Sequence, residues 1–588
     1  MRNAETVLEV IRERGTQGLP LERVYRLLFN PELYLVAYGR IATNDGALTP
    51  GSTPETADGM SRAKIDAIIE ALRFERYRWT PARRTYLPKP NGKKRPLGIP
   101  TWSDKLLQEV IRLVLDAYYE PQFSAHSHGF RSRRGCHTAL VDVRTWSGTT
   151  WFIEADIAQC FDRLDHEVLL GILAERIHDG RFLRLIRELL QAGYLEEWRF
   201  NATLSGTPQG GVVSPLLANI YLDRLDRFVE QTLIPAYTRG TQRKRNLAHR
   251  RVQRRMYRLA QQGNHAEAKC LRQEMQQLPY GDPGDPDYRR LRYARYADDF
   301  VLGFIGPRAE AEAIKRQLDQ FLRETLKLEL STEKTLITHA RSNAARFLGY
   351  EVIVKHNNRK LDHRGLRSLN GSVGLRVPLD KIRGKCAAYM HGGKPIGNWA
   401  MRNDSEFSII AQYQTAFRGV VNYYRLADNV GWLARLKWVM ETALTKTLAA
   451  KLRLRVHQVY RRFGATIATP TGLRKVLLAT VERGPDKLPL VAQWGGISLA
   501  RDLHAVLNDQ PPRVWNTRTE LLERFLADTC ELCGSTVDVE VHHIRRLADL
   551  QTKGQSEKPA WVTVMAARHR KTLVVCHRCH HKIHTGYA

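Results

Sequence analysis

Tyr296-Ala297-Asp298-Asp299, flanked by Arg295 and by the apolar run Phe300-Val301-Leu302, is the stretch of sequence that decides the fold. Apolar residues on both sides of two adjacent carboxylates predict a strand, a tight turn and a second strand. Two neighbouring aspartates at such a turn favour a divalent metal, and a metal beside a phosphate chain indicates phosphoryl transfer. So short a string recurs by chance, so its meaning depends on the rest of the chain.

The composition of the chain points to a polyanionic partner. The 588 residues contain 92 Lys and Arg against 61 Asp and Glu, which gives a formal net charge of +31. A chain of this length holds roughly three to five domains. So large an excess of one charge opposes compaction unless a polyanion neutralises it, and nucleic acid is the usual one. An anionic membrane surface is the alternative, but no segment approaches twenty consecutive apolar residues, so we expect no membrane partner.

The first residues and the cysteines bear on the compartment. The N-terminal stretch has no apolar h-region and carries Glu5 and Glu9, so we expect no secretory or transit peptide. Of the eight Cys, four are scattered and four form two close pairs near the C-terminus. This pattern is typical of a reducing compartment with one metal site, rather than of a disulfide framework.

A third carboxylate lies upstream of the Tyr-Ala-Asp-Asp turn. The run Trp151-Phe152-Ile153 reads as a buried strand that delivers Asp156 at its end. Two-metal phosphoryl transfer needs several carboxylates that converge on two cations about 3.5–4 Å apart. Asp156, Asp298 and Asp299 supply them if their strands are neighbours, and we expect two Mg²⁺ ions there. The alternative for Asp156 alone is a helix N-cap.

Between these carboxylates lies a glycine-rich segment, Gly206-Thr-Pro-Gln-Gly-Gly-Val-Val-Ser214-Pro. Gly and Pro predict a loop that approaches its neighbours closely, followed by a helix that Ser214 caps. Gln209 lies where its amide would hydrogen-bond near an incoming nucleotide.

With this order of motifs the chain resembles reverse transcriptases, and in particular group II intron-encoded proteins, from about residue 40 onward. The further segments that carry the resemblance are Arg83–Pro100, Ser127–Leu140, Ser331–Thr335, Phe347–Tyr350 and Phe417–Tyr424. The family implies an α/β multidomain protein: a right-hand reverse transcriptase with fingers, palm and thumb, a helical maturase region and a small zinc-stabilised ββα-metal HNH domain.

The resemblance also implies roles for single residues near the nucleotide. Lys89 and Arg95 match positions that meet the triphosphate of a dNTP, as their charge suggests. Phe161 matches the aromatic residue that excludes a ribose 2′-hydroxyl by steric clash; a core aromatic is the plainer interpretation of the same residue. Lys334 resembles the lysine that protonates the leaving pyrophosphate.

Two basic regions are candidate RNA-binding surfaces. Residues 239–290 begin with a dense run of Arg and predict a basic helical insertion, for which a solvated charged helix is the alternative. Residues 410–464 predict amphipathic helices with an apolar core stripe that recurs every four residues from Trp432 to Tyr460. The residues that we expect to contact RNA phosphates are Arg243, Arg250, Arg254, Arg418, Lys446 and Lys451.

The C-terminal residues predict a metal module. Cys530, Cys533, Cys576 and Cys579 form two Cys-x-x-Cys pairs, which is the pattern of a closed structural zinc site. The surrounding histidines resemble the HNH nuclease fold. That resemblance implies that His542 and His584 bind Mg²⁺ or another divalent ion, with His580 a further candidate, and that His543 is the general base. Lys571 departs from the family pattern, because Asn usually occupies this position and orients the base.

The predicted domain order follows from these motifs. We expect a helical extension of the fingers at 1–84, fingers and palm at 85–365, thumb and maturase at 366–480, a linker or DNA-binding region at 481–525 and the HNH endonuclease at 526–588. The predicted function is an intron-encoded protein that binds its group II intron RNA, promotes splicing, nicks target DNA and copies the intron into DNA. The alternatives are a splicing factor with vestigial catalysis and a reverse transcriptase-nuclease of another mobile element. We expect a bacterial cytoplasmic, nucleoid-associated location, with an organelle matrix as the alternative.

Overall fold

The structure is a computed structural model and describes residues 3–44, 46–88, 92, 94–197, 199–201, 206, 210–363, 367–470, 472–482, 488–507, 520–546, 550, 559–568 and 570–585. Two residues with predicted roles, Lys89 and Gln209, lie outside these ranges.

In the first 150 residues helices outnumber strands and pack around one central helix. That helix, Trp102–Tyr119, begins where the Thr101 side chain accepts a hydrogen bond from the Asp104 N–H, and it is buried on most faces, as a core helix is. The elements are α1 (Ala4–Thr16), α2 (Val24–Leu27), α3 (Pro31–Ile41), β1 (Met60–Ser61), α4 (Arg62–Arg73), β2 (Ala82–Pro88), β3 (Lys94–Ile99), α5 (Trp102–Tyr119) and α6 (Cys136–Arg144).

The next segment contributes a buried strand and the helices that pack on it. Its elements are β4 (Trp151–Asp156), α7 (Cys160–Arg163), α8 (His166–Ala174), α9 (Gly180–Gln191), β5 (Tyr194–Glu196), β6 (Arg199–Asn201), α10 (Ser214–Phe228) and α11 (Ile234–Ala236). The prediction that Ser214 caps α10 is wrong: Val213 is the N-cap residue, and Ser214 is the first helical residue. Strands β2, β3, β5 and β6 form a small sheet in the order β3-β2-β5-β6.

The basic insertion is a helical hairpin, made of α12 (Leu247–Gln261) and α13 (His265–Gln277). Asn246 and Asn264 cap the two helices with their side-chain oxygens. After α13 the chain passes Asp285 and Tyr288, and Arg289 then forms an isolated β-bridge with Arg239, which precedes the hairpin. The two ends of the insertion are therefore paired at its base.

The catalytic sheet follows, with β7 (Arg290–Tyr296), β8 (Asp299–Ile305), α14 (Arg308–Leu326) and β9 (Leu336–His339). Its strand order is β7-β8-β4-β9, and every pairing is antiparallel. The predicted strand, turn and second strand around Asp298 are confirmed. Residues of β4 and β8, among them Ile153, Phe300 and Leu302, lie in one hydrophobic core with α5, α10 and α14, which fixes the sheet against the N-terminal helices.

The C-terminal half of the chain has a second hydrophobic core, mainly helical. Its elements are β10 (Ala345–Phe347), β11 (Tyr350–Val354), β12 (Val373–Arg376), α15 (Leu379–Ala387), β13 (Met390–His391), β14 (Lys394–Pro395), α16 (Glu406–Tyr423), α17 (Ala434–Leu452), α18 (Val456–Phe463), β15 (Gly464–Thr469), β16 (Gly472–Val481) and β17 (Leu490–Trp494).

The predicted core stripe is correct only in its middle. Leu436, Met440, Leu444 and Leu448 are buried along α17, whereas Trp432, Val456 and Tyr460 are exposed. A four-residue step advances about 40° beyond one helical turn, so a long stripe rotates away from the core. In addition, α17 ends at Leu452, where Arg453 adopts a left-handed conformation and the chain turns into α18.

The last described residues form a small module on the N-terminal helices. It contains α19 (Glu520–Leu526), β18 (Val539–His543), α20 (Ala560–Arg568), β19 (Thr572–Cys576) and α21 (His577–Thr585). Strands β18 and β19 form an antiparallel pair, and β1 adds to the other edge of β18. Val541 and Val574 are fully buried in the same core as the N-terminal helices, so this module is packed against them.

Candidate active sites

The three predicted carboxylates meet at one end of the catalytic sheet. Asp156 is the last residue of β4 and faces Asp299, the first residue of β8, in register. Asp298 lies in the turn just before β8, where Ala297 has a φ of 56°. Directly opposed residues of an antiparallel pair have Cβ atoms about 4.5–5.5 Å apart. Asp156 is not a helix N-cap, because α7 begins only at Cys160, after Gln159.

The charges at this end of the sheet are poorly balanced without a cation. Burial, and then the charge of Asp156, raises the pKa of Asp299 to about 7, and the same two causes raise the pKa of Asp298. Lys334 Nζ lies 2.8 Å from Asp156 Oδ2, and this hydrogen bond raises the pKa of Lys334. Buried carboxylates with raised pKa values fit hard divalent cations, which prefer oxygen ligands. Among the described residues, the three aspartates are not a group whose possible ligand atoms all lie within 4.8 Å of one another.

A buried ion pair supports the catalytic turn, and sequence reasoning missed it. Arg295 and Asp226 are both fully buried, and Arg295 Nη2 and Nε lie 2.6 and 2.7 Å from the two Asp226 oxygens. Arg295 Nη1 also donates to the Ala297 carbonyl at 2.9 Å, within the turn itself. The sequence contained no sign of this pair, because Arg295 is one of three arginines in β7 and nothing indicated Asp226, on α10, as its partner.

Two glycines let neighbouring backbone approach the site. A Cβ on Gly129 would lie 2.5 Å from the Ala297 nitrogen, and one on Gly210, where φ is +110°, would lie 2.3 Å from the Gly98 carbonyl oxygen. Side chains at either position would displace the loops, so both loops pack through their backbones.

The predicted nucleotide-contacting residues lie around the carboxylates as far as the structure describes them. Phe161, in α7, packs edge to face on Phe130 at 6.3 Å between ring centroids, and Phe130 lies 6.4 Å from the ring of Tyr296. Arg95 is exposed on β3, and its charge acts on Asp298.

The predicted RNA-contacting residues differ in how freely they face solvent. Arg250, Arg254 and Arg418 are exposed. The Arg243 guanidinium is half-buried 5.3 Å from the centroid of the Tyr288 ring. Lys446 Nζ donates to the Pro395 carbonyl at 2.7 Å and Lys451 Nζ to the Arg402 carbonyl at 3.4 Å.

The four C-terminal cysteines form one cluster. Their sulfur atoms all lie within 4.8 Å of one another, and Cys533 Sγ is 3.7 Å from Cys576 Sγ. Four cysteines in this arrangement fit a tetrahedral zinc ion. Burial raises the pKa of Cys530, but backbone N–H groups of Cys533 and Cys576 outweigh it and lower that pKa to about 7.

The three predicted metal-binding histidines form a second cluster with a residue that sequence reasoning missed. His542, on β18, and His580 and His584, one turn apart on α21, offer nitrogen atoms within 4.8 Å of one another and of a carboxylate oxygen of Asp58. Burial alone would lower the pKa of His580, but its hydrogen bonds with Asp58 and Glu540 outweigh burial and raise that pKa to about 9. No sequence signal connects Asp58 with residues so distant along the chain.

His543, the predicted base, lies outside this cluster. Its Nε2 is 2.8 Å from the Tyr38 hydroxyl, and its backbone N–H donates to Asp58 Oδ1 at 2.7 Å. Burial lowers the pKa of His543 to about 4, so its ring is neutral near pH 7. The two Glu540 oxygens lie 2.6 and 2.7 Å from the Nδ1 atoms of His580 and His577, so Glu540 orients both rings.

Family models match three consecutive parts of the chain. Residues 87–352 match reverse transcriptase (RNA-dependent DNA polymerase), residues 371–484 match type II intron maturase, and residues 530–580 match the AI2M/AI1M-like HNH endonuclease. The chain is also 37% identical over 616 aligned residues to the group II intron-encoded protein LtrA of Lactococcus lactis subsp. cremoris, covering 99% of this chain and 100% of that protein. The chain belongs to the group II intron-encoded proteins.

This group II intron-encoded protein has a reverse transcriptase, a maturase and an HNH endonuclease domain, and is therefore an RNA-directed DNA polymerase and a nuclease. A second relative, an uncharacterized 91 kDa protein in the cob intron of Schizosaccharomyces pombe, is 34% identical over 98% of this chain and 71% of that protein. Nuclear intron maturase 1 of Arabidopsis thaliana is 22% identical over 60% of this chain and 57% of that protein. Within the described ranges, no helix combines the length and apolar character needed to cross a bilayer.

Proposed function

We propose that this group II intron-encoded protein binds its intron RNA, promotes its splicing, nicks a DNA target at the HNH module and copies the intron from the new 3′ end. The observation that carries the proposal is the register between Asp156 and Asp299, with Asp298 in the adjoining turn. It supports a site where a 3′-hydroxyl and a dNTP meet three carboxylates.

The proposed right-hand assignment follows the two cores. The helices before β4 and the β3-β2-β5-β6 sheet are the fingers, the β7-β8-β4-β9 sheet is the palm, and the second core, from β12 onward, is the thumb and maturase. The hairpin α12–α13 is the basic insertion. The other proposed boundaries are those expected from the sequence, but β17 (Leu490–Trp494) pairs with β16 and lies in the second core, so we extend the thumb and maturase past the expected end at 480.

In the polymerase reaction, Asp156, Asp298 and Asp299 would hold two Mg²⁺ ions. When bound, these ions activate the primer hydroxyl and stabilise the leaving pyrophosphate. Lys334 holds the Asp156 carboxylate at 2.8 Å and would give a proton to the pyrophosphate. Arg95, with Lys89, would bind the triphosphate, Gln209 would hydrogen-bond near the nucleotide, and Phe161 would exclude a 2′-hydroxyl.

In the nuclease reaction, His542, His580 and His584 would hold the divalent ion that polarises the scissile phosphate. His543 would take a proton from the attacking water, for which a neutral ring is the required form. The four cysteines would hold a structural zinc ion that contributes to the folding of this small module.

RNA binding would use the basic faces of the insertion and of the maturase region. The exposed side chains of Arg250, Arg254 and Arg418 support a direct role in neutralising phosphates. Arg243, Lys446 and Lys451 have intramolecular partners, so we propose that they contribute less to affinity. The full-length similarity to a bacterial relative supports a cytoplasmic, nucleoid-associated location, with an organelle matrix as the alternative.

The decisive experiment separates polymerisation from splicing. In the variant with Asp298→Asn and Asp299→Asn, primer extension on an RNA template with Mg²⁺ falls to background, whereas assisted splicing of the intron continues. Asp319→Asn, which changes an aspartate on the surface of α14, serves as the matched control and retains both activities. A wild-type protein unable to extend a primer, or an equal loss of splicing in the double variant, overturns the proposal.

A further inference from the structure

The N-terminal helices reach directly into the nuclease module. Strand β1 extends the β18–β19 pair, with Met60 opposite Val541, and the Gly59 N–H donates to the Val541 carbonyl at 3.0 Å. This pairing brings Asp58, just before the strand, to the histidine cluster. The contact is part of a sheet and a shared core, so the position of Asp58 is fixed by backbone pairing.

Asp58 contacts all three cluster histidines. Its Oδ2 lies 2.8 Å from His584 Nε2, and its Oδ1 lies 3.1 Å from His580 Nε2 and 3.2 Å from His542 Nδ1. His542 is only 4% exposed, and neither of its ring nitrogens makes a hydrogen bond, since the geometry toward Asp58 is unfavourable despite the short distance. A buried imidazole without a hydrogen bond, aimed at other ligand atoms, is the arrangement that a cation satisfies.

The orientation of His580 also supports a cation in this cluster. Glu540 Oε2 lies 2.6 Å from His580 Nδ1 and so leaves Nε2 directed at Asp58. A carboxylate on the outer nitrogen is the usual way in which a metal-binding histidine is oriented. Three imidazoles and one carboxylate make four protein ligands, one more than the three of a tetrahedral catalytic site that keeps a position for water or substrate.

A second residue of the N-terminal helices covers the candidate base. The Tyr38 hydroxyl lies 2.8 Å from His543 Nε2, and the Tyr38 ring packs between Trp102 and Phe525 at 6.3 and 6.0 Å. The nitrogen that would accept the proton of water is therefore already occupied, and His543 is buried.

We propose that Asp58 is the fourth ligand of the nuclease cation and that the side chains of Asp58 and Tyr38 keep the nuclease site closed until DNA displaces these two side chains. The inference rests on the proposed nuclease function. Displacement frees one ligand position for a phosphate oxygen of DNA and one ring nitrogen for the attacking water.

The ligand assignment is tested by cation binding to the full-length, zinc-loaded chain. Nickel titration calorimetry is done on proteins that carry Asp298→Asn and Asp299→Asn to weaken cation binding in the palm, and the site abolished by His542→Ala defines the signal. Asp58→Asn, which keeps the shape of the side chain, weakens Ni²⁺ binding there by at least about tenfold. Asp66→Asn, in the helix that follows, is the matched control. Equal affinity of Asp58→Asn and wild type overturns the assignment.

The closure is tested by nicking of a DNA target at saturating Mg²⁺. Asp58→Asn and Tyr38→Phe each increase the nicking rate several-fold, whereas Tyr34→Phe, a buried tyrosine on the same helix whose hydroxyl donates to the Leu28 carbonyl, leaves it unchanged. A slower rate in Asp58→Asn refutes closure, because it makes Asp58 part of the active form. If no protein nicks DNA, the nuclease function itself fails, while the nickel affinities still decide whether Asp58 is a ligand.

Discussion

The buried Arg295–Asp226 pair makes a quantitative prediction about the palm. Arg295→Met leaves the Asp226 carboxylate buried without its partner, and breaking a buried pair from one side costs about 3–5 kcal/mol. In the wild-type protein the Tyr293 hydroxyl donates to Asp226 Oδ1 at 2.8 Å. Replacing both residues, with Arg295→Met and Asp226→Leu, removes the buried charge but leaves this hydroxyl without an acceptor. An unsatisfied buried group costs about 1–3 kcal/mol, so the double variant regains part of the stability.

Activity should not follow stability in this pair of variants. Neither variant can donate the hydrogen bond from Arg295 to the Ala297 carbonyl, so the turn that carries Asp298 loses this constraint on its position. A misplacement of about 1 Å costs roughly 10²-fold in rate. We therefore expect kcat for primer extension to fall about 10²-fold in both variants, with KM for the dNTP nearly unchanged.

The measurements are local opening free energies, from amide hydrogen exchange of β7 and β8, and steady-state primer extension on an RNA template. Arg323→Met is the control, because Arg323 pairs with Asp319 on an exposed face of α14 and such pairs contribute only about 0.3–0.5 kcal/mol. The reasoning is refuted if the double variant regains kcat along with stability, or if Arg295→Met keeps kcat within about threefold of wild type.

Further predictions concern the carboxylates, nucleotide choice, zinc and RNA. Because the pKa of Asp299 is raised, its ionisation destabilises the folded protein progressively as the pH rises from about 4 to 7, so Asp299→Asn should raise the Tm of the metal-free protein more at pH 8 than at pH 5, by a few degrees. An equal shift at both pH values would contradict this sign. Phe161→Ala should favour ribonucleotide incorporation by about tenfold to a hundredfold in competition assays, and an unchanged ratio would leave Phe161 as a core residue. Cys576→Ser should abolish zinc binding, measured by elemental analysis, and expose 520–585 to protease while primer extension continues; a zinc-free but protease-resistant module would show that zinc is dispensable. The affinity for intron RNA falls as salt rises, and reversing the charge of either Arg250 or Arg254 should make the slope of log affinity against log salt shallower by about 1. An unchanged slope would mean that α12 is a solvated helix that does not contact RNA.

Local patterns in the sequence predicted the centre of the palm. The apolar runs before Asp156 and after Asp299 form strands, as predicted. This prediction succeeded because a short apolar run bounded by turn residues is a signal contained within a few neighbouring residues. The cysteine cluster was predicted from the spacing of the two pairs and the preference of zinc for thiolates, and the histidine cluster from the resemblance to HNH nucleases; the structure brings both sets together.

Contacts between distant segments were not predictable in this way. Arg295 and Asp226 are joined by the packing of a helix on a strand, and Asp58 reaches His542 through a strand pairing that connects opposite ends of the chain. A single sequence records the polarity of these residues but not their partners. The same holds for His543: its motif assigned a role, while the Tyr38 ring that covers it comes from α3.

The pairing of Met60 with Val541 also means that the nuclease module can form only late in translation. The two residues are separated by about 480 positions along the chain, which at about 5–20 residues per second takes roughly half a minute or more to translate. Throughout that interval the short edge at Met60 emerges from the ribosome without its neighbour. The reverse transcriptase domain can thus fold, and meet the transcript that is being translated, before the HNH module of the same chain has been synthesised.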